Sequence, residues 1–317
     1  MLGLLLAGAV LAAPMQAQDP GAAAPLDGPV TLEDVTVTGR PLQTLIRNFV
    51  GEVAEPNRGR GLARWDDRVC VGVVNLRVDV AQYLADRIST VAQDLGLETG
   101  GDGCNANILI IATADGEAVA ASMVEDGKRI FRTGGPGMDR GGVALRDFVE
   151  TDRPVRWWQV ATPVNSETGE RAVRIPGECS GSCQSVNDMA PVINVLAASR
   201  LNSQIVDELT RTIVIVDIDE VEGMSSLQLA DYIAMVSLAQ IDPGADTSAY
   251  ATILNVMADP QGVDSLTDWD KAYLTGLYGA ERNRVSMRSN RTQIAASIGR
   301  AHGQIRAAED QATSEAD

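Results

Sequence analysis

The sequence predicts an α+β fold, in which a mixed β-sheet with packed helices surrounds one buried central helix. Three observations support this prediction: a strand–helix–strand pattern over Arg68–Thr113, a β-prone run over Thr210–Ile218, and a very apolar segment over Ser225–Pro243. A strand–helix–strand unit favours parallel pairing of its two strands through a right-handed crossover. A helix that is apolar on nearly every side is expected to be buried.

The central helix is predicted over Ser225–Pro243, where Ser225 and Gln228 have the spacing of a capping box. Its strongly polar residues between Ala230 and Ile241 are Asp231, Ser237 and Gln240.

The other elements follow from local patterns. Apolar residues at helical spacing predict helices, and β-branched runs predict strands. Helices are expected over Leu42–Ala54, Val78–Leu97, Asp115–Glu125, Leu266–Gly279, within Ile193–Arg211, and, as a short helix, over Ala249–Met257. Strands are expected over Arg68–Leu76, Asn107–Thr113 and Arg156–Pro163, the last forming a hairpin with Arg171–Ile175.

Trp157 and Trp158 are adjacent in a predicted strand, so their side chains point to opposite faces of the sheet. We expect one of them to lie in the core and the other to be partly exposed.

The N-terminal 40 residues have the pattern of an exported chain. Leu2–Ala13 is a short apolar run followed by small residues, which predicts a signal peptide over residues 1–17; the alternative is a buried helix. Residues 18–40 read as a disordered linker rich in Pro, Ala and Gly. Within it, Glu33–Arg40 resembles the TonB box of outer-membrane receptors, which adds a strand to a partner's sheet. An N-terminal edge strand of the chain's own domain is the favoured alternative. Residues 41–285 then form a single domain, and residues 286–317 a polar C-terminal helix.

Composition excludes several classes of function. The net charge of −17 argues against nucleic-acid or anionic-membrane partners, which require a basic surface. The single histidine, His302, excludes any site that needs two imidazole ligands. After the N-terminal run, no apolar stretch is long enough to span a membrane.

Four cysteines in an exported chain indicate disulfides, for which three pairings are possible. The favoured pairing joins Cys70 to Cys104, between the first two predicted strands, and Cys179 to Cys183, across a short loop. A site in which all four thiolates bind zinc is disfavoured because the paired spacing of such sites is missing.

The order of elements resembles the N-terminal half of metzincin-type zinc proteases. The segment Leu266–Gly279, with the sequence LTDWDKAYLTGLYG, is similar to the helix that follows their zinc site. The chain is also similar to an uncharacterised group of secreted bacterial proteins. This resemblance implies a zincin-like fold over roughly Arg64–Tyr278.

The same resemblance places Val236 and Gln240 where two zinc-binding histidines would be, and Ser237 where the general-base glutamate would be. Valine cannot bind zinc, and no third histidine follows. The resemblance therefore implies a degenerate site without metal, cofactor or catalytic residues.

A second possible site is the acidic segment Asp217, Asp219, Glu220 and Glu222. Two of these carboxylates could serve a hydrolase, or several could bind calcium, although the spacing does not match an EF-hand. A solvated acidic turn is the favoured interpretation. We therefore expect a periplasmic or secreted protein with a non-catalytic binding or accessory role towards a protein or peptide. The alternatives are a carboxylate-dependent hydrolase and a TonB-linked envelope protein.

Overall fold

The computed structural model describes residues 41–57, 60–66, 68–131, 140–172, 193, 202–283 and 287–316. The predicted signal peptide, the linker and the TonB-box-like segment Glu33–Arg40 lie outside these residues, as do Cys179 and Cys183.

The described residues contain a four-stranded mixed sheet. Its strands are β1 (Val71–Val74), β2 (Ile108–Thr113), β3 (Val155–Asn165) and β4 (Ile205–Asp217), in the spatial order β1-β2-β4-β3. β1, β2 and β4 are parallel, whereas β3 pairs antiparallel to β4 and forms one edge. The predicted strand–helix–strand unit and its parallel pairing are therefore confirmed.

The helices cover both faces of this sheet. They are α1 (Leu42–Val53), α2 (Val78–Asp94), α3 (Gly116–Asp126), α4 (Lys128–Phe131), α5 (Gly141–Glu150), α6 (Ser226–Leu238), α7 (Asp268–Gly279) and α8 (Met287–Ala316). The larger core contains residues of α1, α2, α6, α7 and α8, and the smaller one residues of α3, α4 and α5. The mixed α+β class and the buried central helix are as predicted.

Both tryptophans of β3 are buried, so the expectation that one would be partly exposed is wrong. Trp157 is 4% exposed and belongs to the larger core, while Trp158 is 1% exposed and belongs to the smaller core. The smaller core includes Phe148 of α5, a helix that the sequence patterns do not predict.

β4 begins earlier than the sequence predicts. Residues from Ile205 onward pair with β3, so the predicted helix within Ile193–Arg211 does not include Ile205–Arg211. A β-bulge between Val160 and Ala161 lets the two long strands remain paired along their whole length. The predicted hairpin partner of β3 contributes an isolated bridge from Arg171 to Val164. The short helix expected over Ala249–Met257 is a 3-10 helix, Ile253–Asn255.

The two capping boxes that the sequence predicts are both present. Ser225 and Gln228 exchange hydrogen bonds at the start of α6, and Thr267 and Asp270 do so at the start of α7. α7 packs closely against α8, because a Cβ placed on Gly276 would lie 2.4 Å from the Cα of Ile298.

A buried ion pair joins α2 to α6. Asp231 is fully buried and accepts hydrogen bonds from the Arg87 guanidinium at 2.6 and 3.1 Å. It also accepts one from the backbone N–H of Leu266 at 2.8 Å. Asp231 therefore fixes α6 relative to both α2 and the segment that leads into α7.

Candidate functional site

The three degenerate-site residues lie at the C-terminal end of α6, inside the larger core. Val236 and Ser237 are completely buried, and Gln240 is 1% exposed. The Oε1 atom of Gln240 accepts a hydrogen bond from the backbone N–H of Ala63 at 2.7 Å. Among the described residues, the hydroxyl of Ser237 has no hydrogen-bond partner. None of the three side chains is open to a ligand in this arrangement.

The carbonyl groups at the end of α6 are hydrogen-bonded by side chains from other elements. The side-chain amide of Gln159 on β3 donates to the carbonyls of Val236 and Ala239, at 2.8 and 2.7 Å. The indole N–H of Trp65 donates to Ser237 at 2.9 Å. The hydroxyl of Tyr278 at the end of α7 donates to Leu238 at 2.8 Å.

Helix ends normally leave four carbonyls without a partner inside the helix. Here three side chains, those of Gln159, Trp65 and Tyr278, satisfy all four. Burial raises the pKa of the Tyr278 phenol above its usual range, which keeps it protonated as a donor. The end of α6 is therefore filled and satisfied, so it does not form an open cleft.

The donor set at this helix end does not fit zinc. Zinc sites use deprotonated cysteine, imidazole or carboxylate ligands. Val236 offers no donor atom, and the only carbonyl oxygen of the Gln240 side chain is already used by Ala63. Among the described ranges, no group of three His, Cys, Asp or Glu residues is placed to hold a metal ion.

The sole histidine does not lie on α6. His302 lies on α8, where its ring packs edge-on against Trp269 with ring centroids 6.1 Å apart.

The acidic segment after β4 forms an exposed turn. Asp219, Glu220 and Glu222 are exposed. Asp217 is half-buried and accepts hydrogen bonds from the backbone N–H groups of Gly116 and Asp219, each at 3.2 Å. Partial desolvation, with the nearby carboxylates of Asp152 and Asp217, raises the pKa of Glu220. The turn therefore uses Asp217 to join β4 to the start of α3, while the other three carboxylates face solvent.

One buried carboxylate has no cationic partner in the described part of the chain. Asp270 is completely buried and accepts hydrogen bonds from the backbone N–H groups of Ile253 and Thr267, at 2.8 and 2.9 Å. Burial raises its pKa, although a hydrogen bond from the Thr252 hydroxyl acts in the opposite direction. These contacts give Asp270 a structural role at the start of α7.

The Cys70–Cys104 disulfide is present, as the sequence predicts, with Cα atoms 6.1 Å apart. It fixes the loop before β2 against the residue that precedes β1. Gly100 lies so close to this bond that an added Cβ would be 2.5 Å from the Cys104 sulfur.

A groove of about 700 Å3 runs beside the disulfide, between β1, α2 and the loop of residues 99–104. Many of its lining residues are small, among them Gly72, Ala81, Ala85 and Ser89. Its charged lining residues are Asp86 and Asp102. The sequence patterns do not predict this groove, because it depends on which strand forms the edge of the sheet.

No family model, no curated protein and no solved structure matches the chain. Among the described residues, no helix is both long and apolar enough to cross a membrane.

Proposed function

We propose that this chain is an exported, zincin-like protein without metal chemistry, which acts as a binding or accessory protein in the cell envelope. The observation that carries the proposal is the filled end of α6. At the position where the resemblance would put two zinc ligands and a general base, the chain has Val236, Gln240 and Ser237, all buried.

Two further features support the proposal. Strand β4, which is parallel to β2, leads into the buried helix α6, and β3 forms an antiparallel edge of the sheet. Both features agree with the order of elements on which the resemblance rests. The Cys70–Cys104 disulfide agrees with an oxidising compartment such as the periplasm or the extracellular space.

The alternatives have less support. A hydrolase would need two carboxylates converging on a substrate, and Asp217 is instead hydrogen-bonded within the fold while its neighbours face solvent. The TonB-linked function rests on Glu33–Arg40, which lies outside the described residues.

Metal analysis of the purified full chain, prepared without chelator, tests the proposal. We expect substoichiometric zinc and no peptide hydrolysis that a chelator inhibits. Tightly bound zinc at one ion per chain would overturn the proposal.

A Ser237→Ala variant gives a second test, because the buried hydroxyl of Ser237 has no partner in the part of the chain that the structure describes. Removing an unsatisfied buried hydroxyl should leave stability unchanged or raise it. Loss of a measured activity in this variant, with its stability retained, would indicate a catalytic serine.

For the hydrolase alternative, the matching test is a Glu220→Gln, Glu222→Gln double variant, which we expect to retain all function.

A further inference from the structure

The free edge of the sheet at β1 differs sharply from the opposite edge at β3. All eleven residues of β3 are buried, whereas Val71, Gly72 and Val73 are half-buried and Val74 is exposed. Within the described part of the chain, no strand pairs with the outer side of β1. An open strand edge presents unpaired N–H and C=O groups to a partner strand.

The register shows which groups of β1 point outwards. In a parallel ladder, alternate residues direct both backbone groups to the same neighbour. The Cys70 carbonyl accepts from the Ile108 N–H on the β2 side, so Gly72 and Val74 also face β2. Val71 and Val73 therefore direct two N–H and two C=O groups towards the groove.

The chain itself begins to pair along this edge and then leaves it. The N–H of Val69 donates to the Glu98 carbonyl, and the N–H of Gly100 donates to the Val69 carbonyl, both at 2.8 Å. Beyond Gly100 the loop turns away and forms one wall of the groove, held by the disulfide to Cys104. The outer backbone groups of Val69 are therefore paired with the loop, whereas those of Val71 and Val73 have no strand partner among the described residues.

The lining of the groove indicates what an added strand should carry. Small residues of α2 and the glycine-containing loop leave room for a backbone close to β1. The charged residues that line the groove, Asp86 and Asp102, are both acidic, in a chain of net charge −17. Val78, an exposed apolar residue at the start of α2, also lines the groove.

We propose that the β1 groove binds an extended segment of a partner protein, which adds a strand to β1 and carries small aliphatic and basic side chains. The four outward groups of Val71 and Val73 provide main-chain hydrogen bonds. Asp86 and Asp102 provide the preference for basic residues. The four residues of β1 span about 13 Å, so the site accommodates a short segment. This inference rests on the binding role proposed above and specifies the class of ligand.

The test uses a pool of octapeptides in which valine or threonine alternates with arginine, and a pool with glutamate in place of arginine. Fluorescence anisotropy measures binding to the full-length protein, and mass spectrometry checks that the peptides stay intact. Amide hydrogen exchange of the wild-type protein is followed in parallel. We expect the arginine pool to bind, the glutamate pool to bind at least about tenfold more weakly, and the amides of Val71 and Val73 to gain protection.

A matched pair of variants locates the site. Ser89 lines the groove, whereas its neighbour Thr90 is exposed outside it. Ser89→Arg and Thr90→Arg change the charge equally, so we expect about tenfold or greater weakening for Ser89→Arg and none for Thr90→Arg. Asp86→Asn with Asp102→Asn, which leaves the groove volume unchanged, should also weaken binding, whereas Asp94→Asn on the same helix should not.

Several outcomes would overturn the inference. These are no binding by the arginine pool, binding without protection of the Val71 and Val73 amides, or equal weakening by both arginine substitutions. Protection of these amides without peptide would show that another occupant covers the edge: a second copy if it depends on protein concentration, or residues 1–40 of the same chain if it does not. Zinc content is measured separately, so failure of this inference is distinguishable from failure of the proposed function.

Discussion

Replacing Gln159 with methionine should destabilise the protein strongly, because one side chain satisfies two carbonyl groups at the end of α6. Gln159 is 5% exposed and donates to Val236 and Ala239. Methionine has a similar size and no donor, so Gln159→Met leaves both carbonyls buried and unpaired. Each unpaired buried group costs about 1–3 kcal/mol, so two of them give a loss of about 2–6 kcal/mol in the free energy of unfolding.

Urea unfolding measures this loss, with the midpoint expected to fall and the m value to stay constant. Thr162→Val is the matched control on the same strand. Thr162 is also buried, and its side chain has only a long contact of 3.4 Å to the Thr210 hydroxyl, so its loss should be below about 1 kcal/mol. A Gln159→Met protein with the wild-type midpoint and m value would refute the role of this side chain as a cap.

Three further substitutions test other parts of the fold. Asp231→Ala leaves the Arg87 guanidinium without its partner and should cost about 3–5 kcal/mol in urea unfolding. Asp79→Ala breaks an exposed ion pair and should leave the urea midpoint nearly unchanged. Gly276→Ala forces α7 away from α8 and should lower stability by about 1–3 kcal/mol or more, while Gly303→Ala, in open space on α8, should raise it by up to about 1 kcal/mol. The raised pKa of Asp270 means that the folded protein holds this proton more tightly than the unfolded chain, so stability should fall as pH rises from about 4 through the folded pKa. Asp270→Asn should remove this part of the pH dependence of stability. A variant with the same pH profile as the wild-type protein would contradict the raised pKa of Asp270.

Burial raises the pKa of Asp270, whereas each of the hydrogen bonds around it favours the ionised carboxylate and acts in the opposite direction. The hydroxyl of Thr267 lies 2.7 Å from the Ala251 carbonyl and 2.8 Å from Asp270 Oδ2. Protonation of Asp270 removes the cost of a buried charge that has no cationic partner in the described part of the chain.

Local signals in the sequence predict those parts of the fold that depend on nearby residues. The spacing of Ser225 and Gln228, and of Thr267 and Asp270, predicts the starts of α6 and α7, since a capping box is formed within one turn. The strand–helix–strand pattern predicts the parallel pairing of β1 with β2, and the positions of the cysteines favour the Cys70–Cys104 bond among three possible pairings.

Local signals in the sequence do not predict that the end of α6 is filled, because this depends on contacts between residues that are distant in the sequence. Gln159 is about 80 positions from the carbonyls that it caps, and Trp65 is 172 positions from Ser237. The burial of both Trp157 and Trp158 requires helices on both faces of the sheet, and α5 begins with two glycines that obscure its pattern. Residue identity alone predicts that Val236 cannot bind zinc, but only the fold shows that the region around it is filled.

The backbone groups at the end of α6 are hydrogen-bonded, whereas those at the free edge of β1 have no strand partner among the described residues. This difference determines where we expect binding. At α6 each carbonyl of the last turn has a donor, so a ligand would have to break existing hydrogen bonds to gain new ones. At β1 the outward groups of Val71 and Val73 have no strand partner among the described residues and face a groove of about 700 Å3. A ligand there replaces water and keeps every internal bond. Because backbone groups contribute to affinity only when they are free to pair, we expect a partner to bind at β1 and not at the end of α6.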